Sequence, residues 1–221
     1  MADRVFEDRV GLLVISPANL PDRLPKVKAY GNGLIRDVFV PRSATPADVS
    51  RVRAAGLGCH LWTASDGLSA IDYAGRTLAD MTRLGRTAVE LNFEGIDDPY
   101  LPNYLRETIV RIRQARPFAR LRINQPPWKG FALPDDLLAE DVNLYAAAQC
   151  YEGNMDELLS PLDVVDDLTA NGCPDTKVSC CYAAACRVQG SSERLRALPW
   201  LARLHRGVIF SDDLMVEAGL L

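Results

Sequence analysis

The stretch Thr87-Ala-Val-Glu-Leu-Asn-Phe-Glu-Gly95 constrains the fold more than any other part of the chain. Val89, Leu91 and Phe93 alternate with Glu90, Asn92 and Glu94, so a strand here carries one apolar and one polar face. A surface strand would tolerate that pattern. This one lies between two helical patterns, in a chain that keeps alternating strand and helix, and strands in such a setting are covered on both faces. Three polar side chains in a row then need an interior that accepts them. The lumen of a barrel, rising to its mouth, is such an interior.

The alternation runs the length of the chain. Strands are expected at Gly11–Ser16, Asp37–Pro41, Cys59–Ala64, 87–95, Arg120–Asn124, Leu144–Tyr151, Lys177–Ala183 and Gly207–Asp212. Thr45-Pro-Ala-Asp48 opens a helix with a capping residue, a first-turn proline and an acid three positions on, and Gly56 stops it. Ser69 caps a second helix with Ile71, Ala74, Leu78, Met81 and Leu84 on one face up to Gly85. A third, from Pro99 or Pro102 to Gln114, turns Leu101, Leu105, Ile109 and Ile112 inward. Further helices are expected as one turn near Asp136, from Ser160 to Asn171, and from Ser192 to Leu204 with a kink at Pro199. The proline-rich stretch Pro17–Gly33 reads as irregular with at most a short helix.

Eight such units predict an α/β fold, a single (β/α)8 barrel over residues 1–221, with residues 1–10 as an extension, a thin first connection and little or no last helix. A doubly wound open sheet is the alternative, and the glycine-rich dinucleotide loop it often carries is absent.

Composition excludes several classes. The net charge of −4, without any cluster of Lys or Arg, argues against a nucleic-acid surface. No apolar run approaches the roughly 18 residues of a membrane span. The charged N-terminus lacks a secretory leader core, so a cytoplasmic or virion-associated protein is expected. Arginine far outnumbers the four lysines, which fits a GC-rich genome. The six cysteines lack the paired spacing of a zinc site and read as reduced structural thiols, with a Cys173–Cys186 disulfide as the minority reading. No metal or cofactor is expected.

Chemistry in a barrel sits where the strands end. His60 and His205 precede or begin their strands, so a catalytic histidine is not expected. The mouth-side inventory is Ser16, Arg42, Thr63, Asn92, Glu94, Asn124, Gln125, Gln149, Tyr151, Glu152, Tyr182, Ser211, Asp212 and Asp213, with Trp62 close by and Trp128 in the longest mouth loop. Carboxylates, amides and aromatic rings suit a sugar, whose hydroxyls take polar partners and whose C–H faces pack on rings. Glu90 and Glu94, roughly 13 Å apart along a strand, cannot form a close carboxylate pair. Glu94 is the candidate acid, and Asn92, about 6.6 Å from it, is placed to orient a substrate group. Glu90 lies deeper and is expected to pair with Arg122. Asp212 or Asp213 could bring a second carboxylate across the mouth.

Glu90-Leu-Asn-Phe-Glu94 resembles the fourth-strand signature of family-18 chitinase-type barrels, Asp-x-Asp-x-Glu, which ends in the catalytic acid. Gln149-Cys-Tyr151 is similar to the segment where that family places a tyrosine on the acetamido group of its substrate. The resemblance implies Glu94 as acid, Asn92 as orienting group and Tyr151 as its helper, with the substrate's acetamido oxygen as nucleophile. Asn92 and Glu90 depart from the family's two aspartates, and no tryptophan floors the site on strand eight. Two expectations follow: a hydrolase of an N-acetylated cell-wall or chitin-like glycan, with Gln149, Trp62, Trp128, Asn124, Tyr182 and Asp213 lining the substrate; or an inactive barrel of the same shape, a structural or host-surface-binding part of a phage tail with other virion proteins as partners. A metal-dependent barrel is a weaker third.

Overall fold

The computed structural model describes Phe6, residues 9–93, 100–125 and 135–149, Asp166, 169–170, 177–183, 207–217, Gly219 and Leu221. Its strands are β1 (Val10–Leu13), β2 (Ile35–Val40), β3 (Gly58–Ala64), β4 (Ala88–Asn92), β5 (Arg120–Gln125), β6 (Leu144–Gln149), β7 (Val178–Ala183) and β8 (Gly207–Phe210). All pair in parallel with their sequence neighbours. β8 returns to β1, with Val10 opposite Gly207 and Leu13 opposite Phe210, and closes the barrel. That closure rules out the open sheet.

Around the barrel lie α1 (Leu20–Ala29), α2 (Pro46–Ala54), α3 (Ala70–Leu84), α4 (Leu101–Ala115), α5 (Asp135–Glu140) and α6 (Asp212–Glu217). Thr45 and Asp48 form the reciprocal capping box at the start of α2. Ser69 caps α3 through the amide of Asp72, and Gly85 ends it in the left-handed conformation that glycine adopts freely. Leu101, Leu105, Ile109 and Ile112 are the buried face of α4. Asp166, Thr169 and Ala170 are helical, inside the segment expected as a helix after β6. The rest of that segment, and the helix expected over 192–204, lie outside the described residues.

Several expectations need correction. The first connection is not thin: α1 is a ten-residue helix burying Leu20, Leu24 and Val27. Pro21 occupies the first turn, where a missing N–H costs nothing; Pro25 lies inside the helix at a cost that the buried stripe outweighs. On α3, Ile71 is exposed, and Tyr73 and Thr77 are buried in its place. Thr63 is not a mouth residue. Its hydroxyl bonds the Tyr73 hydroxyl at 2.9 Å, on the helix side of β3. Strand eight stops at Phe210, and Asp212 and Asp213 begin α6.

Two apolar clusters follow from the strand alternation. The larger, including Leu12, Val38, Val89, Leu91 and Phe93, packs between strands and helices. The smaller fills the lumen with Phe6, Leu13, Phe39, Ala88, Tyr145, Ala147 and Cys181, against Trp62. Phe6 thus belongs to the interior of the barrel rather than to a bare extension, with its ring stacked 5.9 Å from Phe39 and tilted 5.4 Å from Tyr145. Gly11 and Gly58 make room inside. A Cβ on Gly11 would collide with the Phe39 ring, and one on Gly58 with the Asp37 carboxylate. The space left at Gly58 admits Asp37 and His60, whose Oδ1 and Nε2 lie 3.0 Å apart. His60 is therefore committed inside the barrel.

Candidate functional site

β4 projects its odd-numbered residues into the helix layer. Phe93, directly after β4, lies between Tyr73 of α3 and Tyr104 of α4, with edge-to-face ring contacts at 5.4 and 5.8 Å. The even-numbered residues Ala88, Glu90 and Asn92 take the lumen side. This fixes the order of polar groups from floor to mouth.

At the lower level Glu90 meets Arg122, its register partner on β5, through a hydrogen bond from Nε to Oε2. Glu90 is 0 % exposed and Arg122 1 %. The guanidinium carbon lies 4.7 Å from the centre of the Phe6 ring and 5.3 Å from that of Phe39, so two aromatic faces cover the cation. Nη1 reaches Ser179 Oγ at 3.5 Å. Burial pushes the Glu90 carboxyl above its ordinary pKa, while Arg122 and the Asn124 amide pull it back. Oε1 of Glu90 and Nη2 of Arg122 are buried without a hydrogen-bond partner among the described residues.

One level up, Asn92 and Asn124 are register partners on β4 and β5. Asn92 is half-buried and Asn124 buried. Asn124 Nδ2 lies 3.4 Å from Cys181 Sγ. Trp62, half-buried, stands beside Glu90 in register and donates its indole N–H to the carbonyl of Val14 at 2.8 Å. One edge of that ring is thereby fixed while part of it stays open.

Across the barrel, Asp212 is held where β8 and β1 close. Its Oδ1 accepts from the amide of Ile15 at 2.9 Å and its Oδ2 from Arg23 of α1. Arg23 also reaches Asp213 Oδ1 at 2.5 Å. Burial raises the pKa of Asp212, against the Ile15 amide and Arg23, and Asp213 adds to the rise. Asp212 is 1 % exposed and Asp213 partly open.

The structure therefore brings together Trp62, Asn92 and Asn124 on adjacent strands, and sets Asp212 and Asp213 apart in a clasp with Arg23. Gln149 and Tyr182 are placed by backbone alone, opposite Cys181 and Ile209. Glu94, Trp128 and Tyr151 lie outside the described residues. Sequence reasoning missed Phe6, Arg23, Ser179 and Cys181. For Arg23 the available signal was a basic residue on an i, i+4 helical face, too common to single out. Among the described residues, no group of His, Cys, Asp and Glu could hold a metal ion, and no helix is long and apolar enough to cross a membrane. Cys59 and Cys181 are buried and form no disulfide among the described residues.

No family model and no curated protein matches the chain by sequence. Solved structures match it by shape. Active domain 2 of a thermostable chitinase from Pyrococcus furiosus, complexed with chito-oligosaccharides, superposes with a TM-score of 0.61 at 9 % identity, over 92 % of this chain and 83 % of that one. The chain has the fold of the family-18 chitinase barrels. A putative chitinase A from Streptomyces coelicolor gives 0.54 at 16 % identity, over 96 % and 94 % of the two chains. A family-18 chitinase from Cycas revoluta, complexed with allosamidin, gives 0.56 at 13 % identity over 79 % and 68 %. At such identities the likeness carries the fold and no activity.

Proposed function

We propose that this barrel hydrolyses an N-acetylated cell-wall or chitin-like glycan at its mouth, with Glu94 as general acid and Asn92 as the group that orients the substrate. The observation that carries the reading is the commitment of two buried carboxylates among the described residues. Glu90 is tied to Arg122, and Asp212 to Arg23 and Ile15. Mechanisms that use two enzyme carboxylates require the second to stand about 5–5.5 Å or 6.5–9.5 Å from the first and to be available for nucleophile or water. With both held elsewhere, a mechanism in which the substrate provides its own nucleophile fits better. Glu94 would protonate the leaving glycosidic oxygen as the acetamido carbonyl oxygen bonds to the anomeric carbon. Water then adds at that carbon, returns a proton to Glu94 and frees the acetamido group.

Support for the substrate class comes from the fold shared with chitinases complexed with chito-oligosaccharides, and from the half-open Trp62 ring beside the amide pair. Tyr151 as helper of Asn92, with Gln149, Trp128, Tyr182 and Asp213 lining the substrate, completes the proposal. Release of oligosaccharides from chitotetraose or peptidoglycan, measured by mass spectrometry, tests it. Release by the wild type that Glu94→Gln abolishes without loss of folding is the expected result. Release that survives Glu94→Gln removes Glu94 from the role.

A second reading is favoured by Asn92 itself, an amide where the resembling family has a carboxylate. In this reading the barrel binds the glycan without turnover, as a host-surface or phage-tail component. Saturable binding of chitotetraose with no product from the wild type would select it.

A further inference from the structure

Asn124 is a buried amide of the lumen whose two ends have different surroundings. Its Nδ2 faces the Cys181 sulfur at 3.4 Å. The same amide leans on the Glu90 carboxylate and favours the ionised form, although Oε1 of Glu90 keeps no partner of good geometry among the described residues. A carboxylate only accepts hydrogen bonds, so the NH2 end must be the one turned toward it. Glu90 cannot swing away to release that end, because Arg122 and its two covering rings hold it from below.

The oxygen end is then left over. Oδ1 of Asn124 is buried and has no hydrogen-bond donor among the described residues, in a side chain only 2 % exposed. A buried acceptor without a donor costs free energy that any correctly placed N–H or O–H recovers. Its register partner Asn92 is half-buried, so the level at which Oδ1 waits is the level the mouth reaches.

We infer that Asn124 is a specificity-determining residue, whose Oδ1 accepts a hydrogen bond from the N–H of the substrate's acetamido group. The inference rests on the proposed glycan reading and adds which atom recognises N-acetylation. Discrimination by a buried polar group is strong, because the analogue that lacks the donor leaves the acceptor unpaired. Cys181 and Glu90 serve as positioning residues: they keep the amide from flipping and offering its NH2 end instead.

The test pairs a change in the ligand with a change in the protein. Chitotetraose is compared with cellotetraose acetylated at its 2-oxygens, where an ester oxygen replaces the N–H and the acetyl group remains. Titration calorimetry with the wild type should show the ester analogue binding weaker by on the order of tenfold or more. In Asn124→Leu the two ligands should bind within about twofold of each other, by weakening of the amide ligand. Cys181→Ser, which leaves an acceptor for Nδ2, should keep the wild-type ratio. Circular dichroism melts establish that each variant is folded, and the wild-type ratio needs no variant at all. If the wild type binds both ligands equally, or Asn124→Leu keeps the wild-type ratio, the assignment of Asn124 is wrong while the glycan reading stands. If the wild type binds neither ligand, the glycan reading and this inference fall together.

Discussion

Glu90 and Arg122 face each other across β4 and β5 inside the barrel, both shut off from solvent, with the cation lying against the rings of Phe6 and Phe39. A buried ion pair of this kind is weak testimony for stability as a pair and strong testimony when broken. Removing one partner strands the other charge in a lumen that cannot solvate it. Arg122→Met alone should cost about 3–5 kcal/mol. The double variant Glu90→Leu with Arg122→Met should recover most of that loss, since the vacated space is already lined by apolar rings. Urea denaturation of the two variants beside the wild type measures this. A double variant less stable than the single one would mean that the pair contributes net stabilisation.

That pair was legible in the sequence for a simple reason. Glu90 and Arg122 hold equivalent polar positions in neighbouring strands, and a deep carboxylate has few tolerable partners. The eightfold alternation, the capping box at Thr45 and the inner face of α4 were legible on the same local grounds, because each depends on residues a few positions apart. The features the sequence hid depend on distance. Arg23 and Asp212 are 189 positions apart. Phe6 stacks in the lumen on Phe39, whose ring fills the space that Gly11 leaves. Ile71 fits an apolar stripe on paper, but the hydroxyl contact between Tyr73 and Thr63 rotates α3 away from it.

Gly58 carries its own prediction. Its missing side chain is the space that Asp37 uses beside His60. Gly58→Ala should therefore destabilise by about 1–3 kcal/mol, as overpacking does. Gly75, within α3, has open space where a Cβ would stand, so Gly75→Ala should stabilise by up to about 1 kcal/mol. Thermal melts of the two variants should move in opposite directions.

The cap of α2 predicts a pH dependence. Burial raises the pKa of Asp48, but the amide and hydroxyl of Thr45 together with Arg51 outweigh it, and the folded-state pKa lies below the ordinary value. A carboxylate lowered on folding contributes stability above its unfolded pKa of about 3.9 and loses it as pH falls through the folded value. Thr45→Ala should cost about 1 kcal/mol at pH 7. The gap between variant and wild type should narrow below about pH 4, which urea titrations at the two pH values would reveal.

Cys59 points from β3 into the main core, and burial pushes its thiol up to about 11. At pH 8 only roughly one molecule in a thousand then carries the reactive thiolate. Iodoacetamide should leave Cys59 unmodified in the folded protein and label it fully in urea, as read by peptide mass spectrometry. Labelling of the folded protein at pH 8 would place that thiol in contact with solvent.

Asp212 is where a structural and a catalytic role diverge in a measurable way. Its two oxygens close the barrel at the β1–β8 seam by holding the Ile15 amide and Arg23. Asp212→Asn keeps a carbonyl for Ile15 but loses the charge that Arg23 requires, and Asp212→Ala loses both. Stability should fall in that order, by about 1.5–3 kcal/mol at the first step, the range for hydrogen bonds to charged groups. Any loss of glycan cleavage or binding in these variants should track the unfolded fraction, because both oxygens of Asp212 are engaged at the seam. Asp212→Asn that melts like the wild type yet loses all product release would reverse the assignment and make Asp212 the second carboxylate of the site.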